Sequence, residues 1–301
     1  MAKTNLLEEL KKRPLLCDGA MGTQLFIRGL AAGACGELWN VGRPEVVQEV
    51  HRAYRQAGCD LITTNTFGAS SAALGKHGLS DQTATLNRTG AAAAIREATP
   101  DAWVLGDVGP FGEFIEPLGD MKAEELLEIF GEQAAALYAA GVDAIIIETM
   151  SDPTELEVAV KAAKRASAKP VIATYAFADG GGGSFRTMMG TPVKDAIARA
   201  IAAGADVVGA NCGSSLSLSD YVNLAEQIVA AAGKTPVIVQ PNAGSPMLLD
   251  GKLVYRAKPE DMTAAVPSLL KTGVRIIGGC CGTTPSHLRA MGEAMRRETV
   301  G

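Results

Sequence analysis

The sequence predicts an α/β chain folded as one (β/α)8 barrel, and three observations carry that prediction. Eight short runs rich in valine and isoleucine alternate with longer, alanine-rich amphipathic stretches. Four segments share one pattern of helix-ending glycine, spacer and strand: AGCDLITTNTF, AGVDAIIIETM, AGADVVGANCG and TGVRIIGGCCG. The polar residues collect at the carboxyl ends of runs whose starts are apolar, where a parallel barrel gathers its functional groups.

The eight strand candidates are LLCDGA (15–20), LITTNTF (61–67), VLGDVGP (104–110), AIIIETM (144–150), PVIATYAF (170–177), VVGANCG (207–213), PVIVQPNAG (236–244) and RIIGGCCGT (275–283). Their apolar starts are continuous instead of alternating, as strands buried on both faces require. The repeat glycines are Gly58, Gly141, Gly204 and Gly273. Each ends a helix in the left-handed conformation, and each interval between them holds two strand–helix units. Pro44, Pro153, Pro192, Pro259 and Pro285 stand where a first helical residue belongs. Asp152 reads as a helix cap, with Glu155 reaching back to complete a capping box. Leu126, Phe130, Ala134 and Leu137 share one helix face. Residues 1–13 read as a leading helix or arm. A doubly wound open sheet is the alternative, but eight evenly spaced strands favour closure. No linker or break in composition divides the 301 residues, so a single domain is expected over 1–301.

Apolar residues make up 47% of the chain, which sustains a packed core and excludes a disordered polymer. The formal charge of −5 argues against nucleic acid or an anionic membrane as the main partner. The start, MAKTNLLEELKKRP, has no apolar core of a signal peptide, and no run is long enough to span a bilayer. The reading is a cytoplasmic chain. In a reducing compartment its cysteines are ligands, nucleophiles or core residues before they are disulfides.

There are six cysteines against three histidines, so a transition metal here must lean on thiolates. Cys212, Cys280 and Cys281 end the sixth and eighth strand candidates, which a barrel separates by one strand. Side chains of adjacent strand residues point to opposite faces. Gly278, Gly279 and Gly282 would let the backbone turn so that Cys280 and Cys281 face one ion. Three thiolates suit Zn²⁺ and leave a fourth position open, as catalytic zinc sites do. Small core residues, or a strained vicinal disulfide, are the alternatives. Cys17 and Cys59 read as core and Cys35 as an exposed loop residue. His51 reads as structural, His77 as a loop residue, and His287 as a packing or capping residue. The run Gly180–Gly183 reads as a lid or plain flexible loop, since no Lys-Ser/Thr follows to make it a phosphate loop.

Zinc on three thiolates carries a net charge of −1, which weakens it as a Lewis acid and keeps a bound thiolate electron-rich. That favours alkylation of a thiol over activation of water. A thiol amino acid also needs its charged ends held. The turn Asp18-Gly19-Ala20-Met21-Gly22 offers backbone N–H groups for a carboxylate, and Asp18 or Glu148 suits an ammonium. An ordinary turn, and a buried pairing of Glu148 with Arg or Lys, are the competing readings.

Seven stretches, DGAMGTQL (18–25), NTFGAS (65–70), GDVGPFG (106–112), ETMSDPTE (148–155), GANCG (209–213), PNAG (241–244) and GGCCGTTPSHL (278–288), occur in this order along almost the whole chain. In them the chain resembles the zinc-dependent homocysteine S-methyltransferase family, which includes the homocysteine-binding module of cobalamin-dependent methionine synthase. The resemblance implies a (β/α)8 barrel with zinc on Cys212, Cys280 and Cys281, and a catalytic role for these three and Glu148. It implies homocysteine contacts from Asp18, Gly19, Ala20, Met21, Thr66, Glu148, Asn211 and Asn242. The implied reaction methylates homocysteine to methionine, with methylcobalamin on a partner module or protein as donor. S-methylmethionine, betaine or another onium donor, or another thiol acceptor, are the alternatives. Two features bear on the donor. The loop after the third strand reads GPFGEFIEPLGD where family methionine synthases usually continue GPT, and no histidine fits the D-x-H-x-x-G corrinoid signature.

Overall fold

The computed structural model describes residues 3–300 apart from Thr99, Ser214, Asp250 and Gly251. Eight parallel strands form the central sheet: β1 (Leu15–Leu16), β2 (Leu61–Thr63), β3 (Trp103–Val108), β4 (Ala144–Met150), β5 (Val171–Tyr175), β6 (Val207–Asn211), β7 (Val237–Gln240) and β8 (Ile276–Ile277). Their order is β1-β8-β7-β6-β5-β4-β3-β2. The two ends meet through a parallel bridge between Cys17 and Leu61, supported by Asp60 N–H to Leu16 O at 2.8 Å and Asp18 N–H to Leu61 O at 3.1 Å. The sheet is therefore a nearly closed barrel, and the open-sheet alternative falls.

The elements follow the expected grammar closely. Gly58, Gly141, Gly204 and Gly273 all have φ between 97° and 108°. Helices begin at Pro44, Pro153, Pro259 and Pro285. Pro192 instead caps the helix Val193–Ala203 from outside. Leu126, Phe130, Ala134 and Leu137 are all buried. Asp152 caps its helix by accepting from Thr154 N–H at 2.7 Å, but the capping box does not form. Glu155 turns inward and accepts from Phe111 N–H at 2.8 Å, because that buried loop amide has a stronger claim on an acceptor than a solvated cap. The fifth strand candidate ends early, at Tyr175. Phe177–Gly181 pairs with Ser184–Thr187 as an antiparallel hairpin, so the glycine run is its turn. A second hairpin, Met247–Leu249 with Lys252–Val254, follows β7.

The barrel interior is apolar from the bottom upward. Leu15, Cys17, Leu61, Trp103, Leu105, Ile146, Ile172, Val207, Ile238 and Ile276 fill it. Helix Leu6–Lys12 inserts Leu6 and Leu10 into the same cluster. The indole N–H of Trp103 donates to Thr4 O at 2.9 Å. The expected N-terminal arm is thus a plug that seals the amino-terminal end. Outside the strands a larger apolar layer packs them against the surrounding helices. Cys17 and Cys59 are core residues as expected. Cys35 is not an exposed loop residue: it is buried beside Ala69, Leu74 and Leu86, because the loop after β1 folds back over the next strand–helix unit.

His51 sits wholly buried on the helix Pro44–Gln56 with neither ring nitrogen hydrogen-bonded. Burial pushes its pKa from 6.5 down to about 3. The unfolded chain therefore binds a proton that the folded chain refuses between those values, and stability must fall as pH drops below about 6.5. The linkage is worth about 2 kcal/mol between pH 7 and pH 5. His51→Leu should remove this share of the acid sensitivity, read as a smaller difference between urea midpoints at the two pH values. An unchanged difference would show that His51 plays no part in it.

Candidate metal centre and the barrel mouth

At the carboxyl ends of the strands the interior turns polar. Cys212 follows β6, and Cys280 and Cys281 lie three and four residues beyond the last residue of β8. None of the three is within a strand, so alternation does not constrain them. Their sulfur atoms all lie within 4.8 Å of one another, and Cys212 Sγ is 3.9 Å from Cys281 Sγ. All six cysteines are free.

The segment Gln240–Ala243, running on from β7, holds the two cysteine strands together. Cys212 N–H donates to Gln240 O at 3.3 Å, Cys280 N–H to Pro241 O at 2.8 Å, and Ala243 N–H to Cys281 O at 2.9 Å. Cys212 takes a left-handed φ of 54°, which turns its side chain toward the other two. Tyr221, on the helix Leu218–Ala232, donates its hydroxyl to Cys212 O and accepts Asn242 N–H at 3.3 Å. Thr283 closes the other side: its hydroxyl donates to Cys280 O at 2.7 Å and accepts Ala20 N–H at 3.1 Å. One chain of bonds therefore links the turn after β1 to the cysteines.

Asn211 is the brace beneath them. Its Oδ1 accepts from Thr149 N–H and from the Thr174 hydroxyl, both at 2.7 Å. Its Nδ2 donates to Thr149 Oγ1 at 2.7 Å and lies 3.7 Å from Cys280 Sγ. Thr149 is itself left-handed, with φ of 62°. Tyr255 lies on the far side. Its ring occupies the space over Gly282, where a Cβ would meet the Tyr255 side chain at 2.3 Å. Hydrogen bonds from Cys212 and Cys280, then from Tyr255, push the Cys281 thiol below its ordinary range, while the same sulfur contacts push Cys280 up. Soft donors in this arrangement fit a metal ion. Asn242 Oδ1, buried without a partner, leaves an oxygen donor close by.

Opposite the cysteines stand three carboxyl groups. Asp18 accepts from Thr63 N–H at 2.9 Å and from the Thr63 hydroxyl at 3.0 Å. Burial lifts its pKa to about 7, against those bonds. Glu148, the residue immediately before the strained Thr149, is raised to about 8 by burial and then by Asp18. Asp107 is raised well above its ordinary value by burial, then by Glu148 and Asp18. No described lysine, arginine or histidine pairs with any of the three, so the buried-ion-pair reading of Glu148 fails.

Of the other expected site residues, Gly19, Ala20 and Met21 lead into the helix Met21–Ile27 beside Thr283. Thr66 is fully buried, with its hydroxyl given to Asp107 O at 2.7 Å. Asn242 lies against Gly213 O at 3.3 Å. His51 and His77 lie apart from these groups. His287 caps its own helix, accepting Thr284 N–H at 3.2 Å, with Nε2 3.0 Å from Ala257 O. The sequence reading missed Thr149, Thr174, Tyr221 and Tyr255. Tyr221 carries the spacing of a core residue with Leu224, Ala225 and Ile228, so its one polar atom leaves no trace in the pattern.

Fold and site together define a barrel protein with a three-cysteine cluster that could hold a metal ion beside a group of buried acids. A family model described as homocysteine S-methyltransferase matches residues 15–295. The chain belongs to that family. It is 33% identical to the methionine synthases of Mycobacterium leprae and Mycobacterium tuberculosis over 98% and 97% of its length. It spans about a quarter of the length of those relatives. In structure it is similar to the metallated form of the homocysteine methyltransferase MmuM from Escherichia coli, with TM-score 0.78, 24% identity, and coverage of 96% of this chain and 99% of that one. A methyltransferase from Methanosarcina mazei shares the fold at TM-score 0.63 and 12% identity.

Asn211→Ala should free Thr149 and Thr174 and loosen Cys280. Outer-shell losses of this kind cost about 10- to 100-fold in metal affinity. Competition with a chromogenic chelator measures it. Wild-type affinity in this variant would show that Asn211 braces only the fold.

Proposed function

We propose that this chain binds Zn²⁺ through Cys212, Cys280 and Cys281 and methylates homocysteine to methionine. The observation that carries the reading is the pairing of three converging thiols with buried acids that no described cation pairs, in one barrel mouth. Zinc, when bound there, lowers the pKa of an incoming thiol and holds it as an electron-rich thiolate. The rest falls to the protein's own side chains. Glu148 and Asp18 take the substrate's ammonium. The N–H groups of Met21 and Gly22, at a helix start and without intrahelical acceptors, take its carboxylate beside Gly19 and Ala20. Asn211 and Asn242 line the sulfur's side of the pocket, and Thr66 supports its floor through Asp107. The substrate thiolate attacks a methyl carbon in line, forming the S–C bond as the bond from methyl to its carrier breaks.

The donor reading is a methyl-corrinoid on a separate module or protein. The 33% identity to methionine synthases several times longer than this chain supports it. An onium donor is the second reading, favoured by the departure from GPT at Gly109-Pro110-Phe111.

Metal content and methionine formation from homocysteine with free methylcobalamin, then with S-methylmethionine and betaine, test the proposal. Cys280→Ala should lose both zinc and activity. Full zinc and full activity in that variant would refute the assignment. Glu148→Gln should keep its zinc and raise the homocysteine KM by about 10- to 100-fold, the loss of one charged hydrogen-bond partner. An unchanged KM would take Glu148 out of the substrate site.

A further inference from the structure

Glu155 takes no part in the reaction as described, yet it is buried where a solvated alternative lay within reach. It sits in the first turn of the helix Pro153–Ala166, three residues after the cap Asp152. A side chain there ordinarily reaches back to the N–H of the cap. Glu155 is instead 4% exposed, and its Oε1 accepts Phe111 N–H at 2.8 Å. No described lysine, arginine or histidine forms an ion pair with it. Burial lifts its pKa to about 7, against the Phe111 bond. An acid without a cation is costly to bury, and what this burial secures is one amide of the loop 109–121.

That loop leaves β3 at the barrel mouth, and it is the stretch that departs from GPT. Its root is held at three points. Gly109 N–H donates to Phe67 O at 2.9 Å, and a Cβ on Gly109 would meet the Phe67 ring at 2.7 Å. Glu155 holds Phe111 from the helix that follows β4. Lys76 Nζ donates to Gly112 O at 2.8 Å. Beyond the root the loop closes on itself, with Glu116 N–H to Met121 O at 2.9 Å and Gly119 N–H to Ile115 O at 3.1 Å. Phe111 and Ile115 are buried, while Phe114 and Leu118 are exposed. The loop is therefore a braced platform, anchored by two apolar side chains and presenting two others to solvent. Without the Glu155 acceptor, Phe111 N–H would be left buried and unpaired, and the root would have to shift to satisfy it.

We propose that Glu155 is a positioning residue for the methyl donor: it fixes Phe111, and through it the exposed face of the loop 109–121 past which the donor reaches the thiolate. The inference rests on the methyl-transfer reading of the site and concerns the donor's side alone. None of the proposed homocysteine contacts comes from this loop. What the loop requires of Glu155 is an acceptor oxygen at the right reach, not a charge. Glutamine supplies that oxygen at the same length, whereas aspartate keeps the charge but is one methylene shorter.

Steady-state kinetics of the zinc-loaded protein, with homocysteine and free methylcobalamin varied in turn and S-methylmethionine as a second donor, test it in Glu155→Ala, Glu155→Asp and Glu155→Gln. Metal content and thermal midpoint establish which variants are folded, and the Asp and Gln pair decides the matter if the Ala variant is not. Glu155→Ala and Glu155→Asp should raise the donor KM about five- to tenfold, the effect of one lost hydrogen bond, with zinc content and homocysteine KM unchanged. Glu155→Gln should restore the wild-type donor KM. Hydrogen exchange at the Phe111 amide should quicken in the first two variants and not in the third. An unchanged donor KM in Glu155→Asp, or equal rises in the KM of donor and homocysteine, would overturn the role of Glu155 while leaving the methyl-transfer reading intact. So would rescue by aspartate and not by glutamine, which would mark a role for the charge. Failure of wild type to form methionine from either donor would overturn it together with the reading it rests on.

Discussion

The three cysteines follow the ends of two strands that are not neighbours, and the segment running on from the strand between them makes them one site. Gln240, Pro241 and Ala243 each bond to a cysteine or to the residue bearing it. Pro241 has no N–H of its own to compete for its surroundings, and its carbonyl fixes Cys280. The arrangement carries strain. Cys212 and Thr149 both sit at positive φ, a conformation that costs non-glycine residues on the order of 1–3 kcal/mol each. Asn211 precedes the first and grips the second through two hydrogen bonds. The convergence of the thiols, backbone strain and the ladder between β6 and β7 are thus parts of one construction.

That construction stands on a dry base. The lower interior is filled by leucine, isoleucine, valine and tryptophan side chains and plugged by Leu6 and Leu10. Polar groups are confined to the layer above, where Asp18, Asp107 and Glu148 gather. The low polarity beneath them holds their pKa values up. In water these acids would ionise and repel. Here burial lifts all three above the ordinary carboxylate range. The cost falls on stability: an acid raised in the fold favours unfolding as pH climbs from its ordinary value through its raised one. The sealed base, rich in apolar contacts, offsets it.

Much of this was legible in the sequence. Continuous apolar runs mark strands buried on both faces, and the four repeat glycines all end helices or their turns left-handed, because backbone conformation is a local property. The three cysteines were found because their residue type is rare and their placement at strand ends is not accidental. Other features depend on partners distant in the chain. Glu155 has the spacing of a capping box, but Phe111 N–H, 44 residues away, claims it. Cys35 reads as exposed until its loop folds over Ala69 and Leu74. Tyr255 follows a hairpin with no strong pattern, and its place over Gly282 is settled only by the close of the barrel. Asn211 could be named as a site residue, but its bonds to Thr149 and Thr174 exist only once β4, β5 and β6 lie side by side.

The sealed base also decides how two reactants must meet. Since helix Leu6–Lys12 closes the amino-terminal end, the thiol and methyl donor of the proposed reaction would share one entrance. The acidic groups belong to the β1, β3 and β4 side of the mouth and the cysteines to the β6 and β8 side. On the proposed reading, an amino acid gripped by the former would lie across the opening, with its sulfur delivered to the latter. The donor must then approach from solvent over the sulfur, past the loop 109–121 and the two hairpins that follow β5 and β7. A small onium compound and a carrier protein make different demands on those loops: the first needs a closed pocket, the second an accessible rim. Phe114 and Leu118 in the first loop, Met188 beyond the first hairpin and Met247 in the second are all exposed large apolar residues. Apolar side chains standing out around an open mouth serve contact with a large surface better than enclosure of a small cation, and this tips the balance between the two donor readings toward the carrier.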